Sequence, residues 1–294
     1  MPAEKEAAAV LSKSRQCITA SNEELKRLND IISPRIKRGQ SVYHIWQSEK
    51  DSLMCSEKTI YNYIDGNKFD AINLDLPRKV RRRLPRQSKQ NFKVDPKCRE
   101  GREYSDFNAF MAAHPDIPIV EIDSVDGRVG GKVMLTIHFL DSLLMLVYLR
   151  DANTAKSVSS IFNDLYRRLG RELYVGLFPV ILTDNGSEFT DPAALELGGG
   201  EDSPCRVFYC DPASPFQKGS IENNHEQIRK VLPKGTSVDD LDQADMQLLS
   251  NNINPLLRRK LNGRSSLMRC SAFFMERILS ACWAFRLFRR RTFF

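Results

Sequence analysis

The sequence predicts a small all-α region followed by a larger α/β domain built on a mixed β-sheet. Between residues 21 and 66, apolar side chains recur at helical spacing behind serines placed as caps. From about residue 117 the texture changes to short runs of β-formers alternating with amphipathic helices, in the order β-β-β-α-β and later β-α. At 294 residues the chain is long enough for one large core and a smaller domain beside it.

Ser21-Asn22-Glu23-Glu24 has the form of a capping box, and Leu25, Leu28, Ile31 and Ile32 follow at helical spacing, so a helix starts at residue 22. Pro34 is expected to interrupt or bend it. Gly39 separates a second short helix, Ser41 to about Lys50, and a third begins near Ser56 and runs to Gly66. Three short helices with a tight link between the last two suggest a helix-turn-helix, with Val42, Ile45, Trp46, Ile60 and Ile64 as its core. Ser56, Glu57, Lys58, Thr59, Tyr61 and Asn62 then line the exposed face of a recognition helix; a generic three-helix connector is the bland alternative.

Residues 78–99 hold Arg78, Lys79, Arg81, Arg82, Arg83, Arg86, Lys89, Lys93, Lys97 and Arg99 against one acid, Asp95. Such a run is either a solvated linker or, beside a helix-turn-helix, a strip that follows the DNA backbone. Charge is uneven along the whole chain. Residues 1–99 carry 21 basic and 12 acidic side chains, residues 100–250 carry 13 and 24, and residues 251–294 carry 10 and 1. An acidic centre between basic flanks fits ends that meet a polyanion and a middle that concentrates carboxylates around a cation.

Ile117 to Asp123 reads as a short strand ending in an acid, and Lys132 to Leu140 with Leu143 to Arg150 as a hairpin turning at Asp141-Ser142. The apolar run from Val133 to Leu149 is interrupted by His138 and Asp141 and is rich in β-formers, which argues against a membrane span. Thr154 begins a helix closed by Gly170. A strand at Phe178 to Leu182 leads to Asp184, another spans Arg206 to Cys210, and a helix follows from about Ser220 to Val231. The seven cysteines are scattered and odd in number, so no disulfide framework is expected, and Cys205 and Cys210 read as buried free thiols. No signal peptide is read at the start, and cytosolic residence is expected.

Three acids stand out by position: Asp123 at the end of the first strand, Asp184 after the fourth, and Glu222 in the first turn of the helix after Gly219. Strand ends and helix starts converge in the open cleft of an α/β sheet. Carboxylates gathered there repel unless a cation sits between them, so a trio suggests hard, oxygen-preferring ions such as Mg²⁺. Two such ions could activate a water or a 3′-hydroxyl for in-line attack on a phosphodiester. Each acid also has a local reading, as a turn residue for Asp123 and Asp184 and as a favourable charge at a helix N-terminus for Glu222.

The strings Val120-Glu-Ile-Asp-Ser-Val-Asp-Gly127, Leu182-Thr-Asp-Asn-Gly-Ser-Glu-Phe189 and Asp211-Pro-x-x-Pro-x-Gln-Lys-Gly-x-Ile-Glu-Asn-Asn-His-Glu226, then Leu232-Pro-Lys-Gly-Thr236, resemble insertion-sequence transposases of the insertion sequence 30 family, over about residues 12–262. The resemblance implies an RNase H-like integrase catalytic core in which Asp123, Asp184 and Glu222 form a metal-binding DDE triad served by two Mg²⁺ ions, with Mn²⁺ as a substitute. It implies DNA transposition, integration and recombination: binding of double-stranded DNA at the element's terminal inverted repeats, then strand cleavage and transfer into target DNA. A homo-oligomer, a bacterial nucleoid-associated location in the cytoplasm and no membrane partner go with it. On this reading Ser56, Lys58, Thr59, Tyr61, Asn62, Arg81, Arg82, Arg83 and Lys218 contact DNA, and Asn185, Asn223 and His225 support the site. Gln217 and Asn224 are further candidates for DNA contact or for orienting the nucleophile, and Lys234 for a phosphate contact.

The expected domains are a partial helix-turn-helix domain at 1–76, a basic linker at 77–103, the catalytic core at 104–262 and an atypical basic, aromatic tail at 263–294. Family members carry a further helix-turn-helix ahead of this one, so the chain is expected to be N-terminally shortened. After Gly263 the resemblance stops, and the switch to a Phe-, Arg- and Cys-rich segment suggests a frameshift shortly before or within Arg264 to Ser266. The alternative function is a truncated, catalytically inactive DNA-binding protein that occupies element ends or inhibits the full-length enzyme; a nuclease acting on hybrids is a third and weaker reading.

Overall fold

The structure is a computed structural model that describes residues 20–76, 96–128, 130–196, 204–212 and 214–269. The chain divides into two units, Met1–Arg86 and Gln87–Phe294, each with its own core.

In the first unit, α1 (Asn22–Lys37) starts where Ser21 Oγ accepts the Glu24 N–H at 3.2 Å. Pro34 does not interrupt it. The proline lies in the last turn, and burial of Ile32 and Ile36 on either side of it holds that turn in helical form to Lys37. Ser41 Oγ caps α2 (Val42–Ser48) through the His44 N–H at 3.2 Å, and Ser56 Oγ caps α3 (Glu57–Asp65) through the Thr59 N–H at 3.1 Å. A single helical turn, Lys50–Leu53, lies between them and is closed by Met54 in the left-handed region at φ 49°. Val42, Ile45, Ile60 and Ile64 are buried as expected, and Trp46 packs at the edge of the cluster with its indole N–H donated to the Cys55 carbonyl at 2.8 Å. Leu28, Leu53, Tyr63 and Phe69 complete the core. Away from it, α3 leaves Ser56, Lys58, Tyr61 and Asn62 exposed and Thr59 half-buried. Arg81, Arg82 and Arg83 lie outside the described residues.

The second unit is a five-stranded sheet in the order β3-β2-β1-β4-β5. Its strands are β1 (Ile119–Asp126), β2 (Val133–Phe139), β3 (Met145–Arg150), β4 (Val180–Thr183) and β5 (Arg206–Tyr209). The first three are antiparallel, while β4 and β5 run parallel to β1, which is the mixed sheet the sequence predicts. Among the described residues four helices of ten residues or more accompany it: α4 (Tyr104–Ala113), α5 (Ala155–Leu177), α6 (Gly219–Val231) and α7 (Gln243–Ile253). Every residue of β2 is buried because both faces of the sheet are covered. On one face Val120, Ile122, Leu135 and Ile137 meet Val158, Phe162, Leu165 and Leu169 of α5. On the other, Val125, Met134 and Met145 meet Ile228 of α6 and Met246 and Leu249 of α7, while Val180, Leu182 and Phe208 meet Phe107 of α4.

Three details differ from expectation. Asp123 does not end its strand, since β1 continues to Asp126 in register with β2 and Asp123 pairs with Thr136. The helix expected to close at Gly170 does break there, at φ 75° and ψ 166°, but a further helical stretch runs to Leu177 and buries Tyr174. Residues 264–269, expected to belong to the atypical tail, are built into the unit: Arg264–Ser265 pair with Leu257–Arg258, and buried Ser266 donates to the Leu143 carbonyl at 2.8 Å. Residues 270–294 lie outside the described residues.

The expected linker is likewise shorter on its described side. Arg102 forms a two-pronged pair with buried Glu196 at 2.6 and 3.0 Å, and Arg99 donates to the Asn185 carbonyl at 3.1 Å, so the chain from Arg99 onward is held in this unit. Cys205 and Cys210 are buried free thiols as expected. Among the described residues no helix is long and apolar enough to cross a membrane.

Candidate active site

Strand alternation places Glu121 and Asp123 of β1, with Thr136 and His138 of β2, on the sheet face that carries α6. These four polar residues sit amid the apolar clusters of that face, so each needs a partner. The α6 helix and the turn before it supply them. Buried Glu121 accepts the Ile221 N–H at 2.6 Å, which fastens the first turn of α6 to β1. Burial pushes the Glu121 carboxyl up to about 7, against the lowering effect of that hydrogen bond and of Lys218.

The parallel register of β1 and β4 pairs Glu121 with Leu182, and two residues further along each chain stand Asp123 and Asp184. Both face one cation. Lys218 Nζ lies 3.3 Å from Asp123 Oδ2, 3.6 Å from Asp184 Oδ2 and 3.4 Å from the Ile122 carbonyl. Expected as a phosphate contact, Lys218 is instead 4% exposed at the start of α6, with its ammonium between the two aspartates. Burial raises the Asp123 carboxyl above the usual aspartate range; Lys218 opposes this and Asp184 adds to it. Burial also disfavours the Lys218 ammonium, but Asp123 and Asp184 outweigh it and hold the proton more firmly than in an ordinary lysine.

His225 stands on α6 one turn after Glu222. Its Nε2 lies 2.8 Å from Thr136 Oγ1, whose hydroxyl proton goes to the Asp123 carbonyl at 3.0 Å. The hydroxyl therefore accepts from Nε2–H, which leaves the Nδ1 lone pair facing Asp123 Oδ2 at 3.9 Å. Burial, then Lys218 and Arg229, lowers the imidazole to about 3, so it is neutral at ordinary pH. Asp184 Oδ1 accepts the Gly186 N–H at 2.9 Å, and Asn185 Nδ2 donates to the Cys210 carbonyl at 2.6 Å, so Asn185 ties the turn carrying Asp184 to the end of β5.

The structure thus brings Asp123, Asp184, Lys218 and His225 together. It does not bring Glu222 to them: that side chain is exposed in the first turn of α6, and among the described residues no three His, Cys, Asp or Glu side chains gather closely enough to hold a metal ion. Asn223 donates to the Gly219 carbonyl at 2.6 Å, and Gln217 pairs with Asp211 at 2.8 Å, both contacts within the chain. Lys234 is exposed.

A second buried polar group lies beside the first, and of its members the sequence singles out only Asn224 as a candidate, missing His138, Ser220 and Arg258. His138 is hydrogen-bonded at Nε2 to Ser220 Oγ at 3.0 Å and at Nδ1 to the Leu144 carbonyl at 3.2 Å. Asn224 packs against the same ring and accepts from Arg258 Nη1 at 2.7 Å. The one sequence signal for those three is His138 inside an apolar strand.

A mixed α/β unit with a five-stranded sheet in this order and flanking helices is consistent with an RNase H-like fold. The chain resembles insertion-sequence transposases. It is 29% identical to the transposase for insertion sequence element IS1086 of Cupriavidus metallidurans over 46% of this chain and 37% of that protein. It is 27% identical to the probable transposase for insertion-like sequence element IS1161 of Streptococcus salivarius over 82% of this chain and 67% of that one. A third relative, transposase InsI for insertion sequence element IS30A of Escherichia coli, is 27% identical over 48% of this chain and 34% of its own length. The matches span between about a third and two thirds of these relatives. No family model matches the chain.

Proposed function

We propose that this chain is the transposase of a bacterial insertion sequence, acting in the cytoplasm on the element's own DNA. The observation that carries the reading is the convergence of Asp123 and Asp184, from neighbouring parallel strands, on one cationic nitrogen. Such a pair of hard oxygen donors suits a divalent ion such as Mg²⁺ or Mn²⁺. Asp123 and Asp184 would hold it, with Glu222, which is exposed in the first turn of α6, as the third ligand. Two bound ions would supply an activated water or 3′-hydroxyl and stabilise the leaving oxygen of the cut strand.

The chain's own residues do the positioning. Thr136 holds the β1 backbone at Asp123 and His225 holds Thr136 in turn, and the neutral imidazole adds no charge that would repel an ion. Asn185 and Gly186 present Asp184. Asn223 braces the first turn of α6 beside Glu222.

In the helical unit, α2 and α3 act as a helix-turn-helix that reads the terminal inverted repeats, with Ser56, Lys58, Thr59, Tyr61 and Asn62 on the DNA side of α3. Arg81, Arg82 and Arg83 add backbone contacts that carry no sequence information. Two element ends must be handled together, which calls for a homo-oligomer.

One observation favours a second reading, a DNA-binding protein without catalysis: Glu222 stands apart from the aspartates, and a lysine already occupies the space between them. Incubating the full chain with labelled DNA bearing the inverted repeats and Mg²⁺ or Mn²⁺, beside Asp184→Asn, separates the two. Cleavage or joining by the wild type alone supports the transposase. Binding by both proteins with cleavage by neither establishes the noncatalytic reading instead.

A further inference from the structure

Metal-ion chemistry alone leaves the buried lysine of the candidate site unexplained. Lysine is almost never buried to the extent of Lys218 unless paired, and here three oxygens surround its Nζ at 3.3, 3.4 and 3.6 Å. Two of them, Asp123 Oδ2 and the Ile122 carbonyl, belong to β1, and the third follows β4. Two aspartates held side by side, one within β1 and one just past the end of β4, repel one another when nothing positive stands between them. The lysine enters from the short turn Pro215–Lys218, at the junction where α6 begins, so it is tethered to the same helix start that Glu121 fastens to β1.

We propose that Lys218 is a built-in counter-cation, occupying the position between Asp123 and Asp184 when no divalent ion is bound and leaving it when one binds. The inference rests on the reading of these aspartates as metal ligands. Ion and ammonium exclude each other because both draw on the same Oδ2 atoms. The exchange has a direction: one ammonium balances one of the two carboxylates, whereas a divalent ion balances both. The flexible four-carbon stem lets the released ammonium swing away from the pair while its backbone stays in place, toward the phosphates of a bound DNA strand. The site is thus neutralised in part before metal arrives, and the carboxylates need not be assembled by the ion.

The test compares the full-length wild type with Lys218→Met, Lys218→Arg and Asp184→Asn by titration with Mn²⁺ and by melting with and without it. Removing the competitor in Lys218→Met should tighten Mn²⁺ binding about tenfold, equivalent to about 1.4 kcal/mol. The same variant should melt lower than wild type without metal and recover when Mn²⁺ is added, whereas Lys218→Arg should keep the wild-type affinity. Mn²⁺ binding that is lost in Asp184→Asn but equal or weaker in Lys218→Met overturns the inference and leaves the metal reading standing. Failure of both wild type and Lys218→Met to bind, or equal binding by Asp184→Asn, overturns the metal reading and the inference with it. Should Lys218→Met not fold, reductive methylation of wild type decides. Lys218 should be protected without Mn²⁺ and several-fold more reactive with it, and equal protection in both conditions sinks the idea.

Discussion

His138 lies on a central strand with its ring wholly buried between Ser220, Asn224 and the Leu144 carbonyl. Burial, then the nearby Arg258, lowers its imidazole to about 3, while Leu144 pulls weakly the other way. The unfolded chain binds a proton there near 6.5, so it holds more protons than the folded one at intermediate pH. The stability this residue contributes is therefore complete above about pH 6.5 and is lost as the pH falls toward about 3. His225 acts in the same direction, for the same reason. Urea unfolding of His138→Gln between about pH 4 and 7 should show a shallower loss of stability on acidification than wild type. Equal slopes would mean that the buried ring is not the titrating group. Sequence pointed to this residue only as a polar break in an apolar strand, because Ser220 and Asn224, which close around the ring, lie some eighty positions away.

At the scale of elements, the joint between β1 and α6 positions everything else in the candidate site. Glu121 takes the Ile221 N–H, one of the helix-start donors that have no partner within the helix. Glu121→Ala strands that buried donor and should lower stability by about 1–3 kcal/mol, whereas Glu121→Gln keeps an acceptor and should cost far less. Melting of the two variants beside wild type measures the difference, and similar losses would show that packing matters there instead. Element boundaries were legible where the cause is local: the serine caps of α1, α2 and α3, the turn at Asp141-Ser142 and the break at Gly170 are all in place. They were misjudged where packing overrides local preference. Burial of Ile32 and Ile36 carries α1 through Pro34, and pairing with β2 carries β1 past Asp123.

For the whole molecule, charge makes a prediction that geometry does not. The first 99 residues hold 21 basic and 12 acidic side chains, and DNA binding through them should weaken linearly in log affinity with log salt concentration. Replacing Arg81, Arg82 and Arg83 by alanine should reduce that slope by up to about 2.7 if all three neutralise phosphates, with little change in preference among DNA sequences. An unchanged slope would remove the three arginines from the DNA interface. The basic character of the last 44 residues has a more divided meaning: Arg264 and its neighbours up to Arg269 are part of the folded unit, where they pair with Leu257–Arg258 and seat Ser266 against the Leu143 carbonyl.

The sequence by itself determined the capped helices of the first unit and their core, the five strands of the second and the helices α5 and α6 in their order, because caps, periodicity and turn residues act over a few positions along the chain; α4 and α7 it did not show. Only the tertiary structure decided that Asp123 stands level with Asp184, that Lys218 is buried between them, that His225 is held neutral against Thr136 and that Glu222 stays apart. The physical reason is that strand register and burial are relations between segments distant in sequence. A lysine written beside a glycine looks the same whether it reaches out to a phosphate or turns in to balance two carboxylates, and only the packing of α6 on the sheet sets which it does.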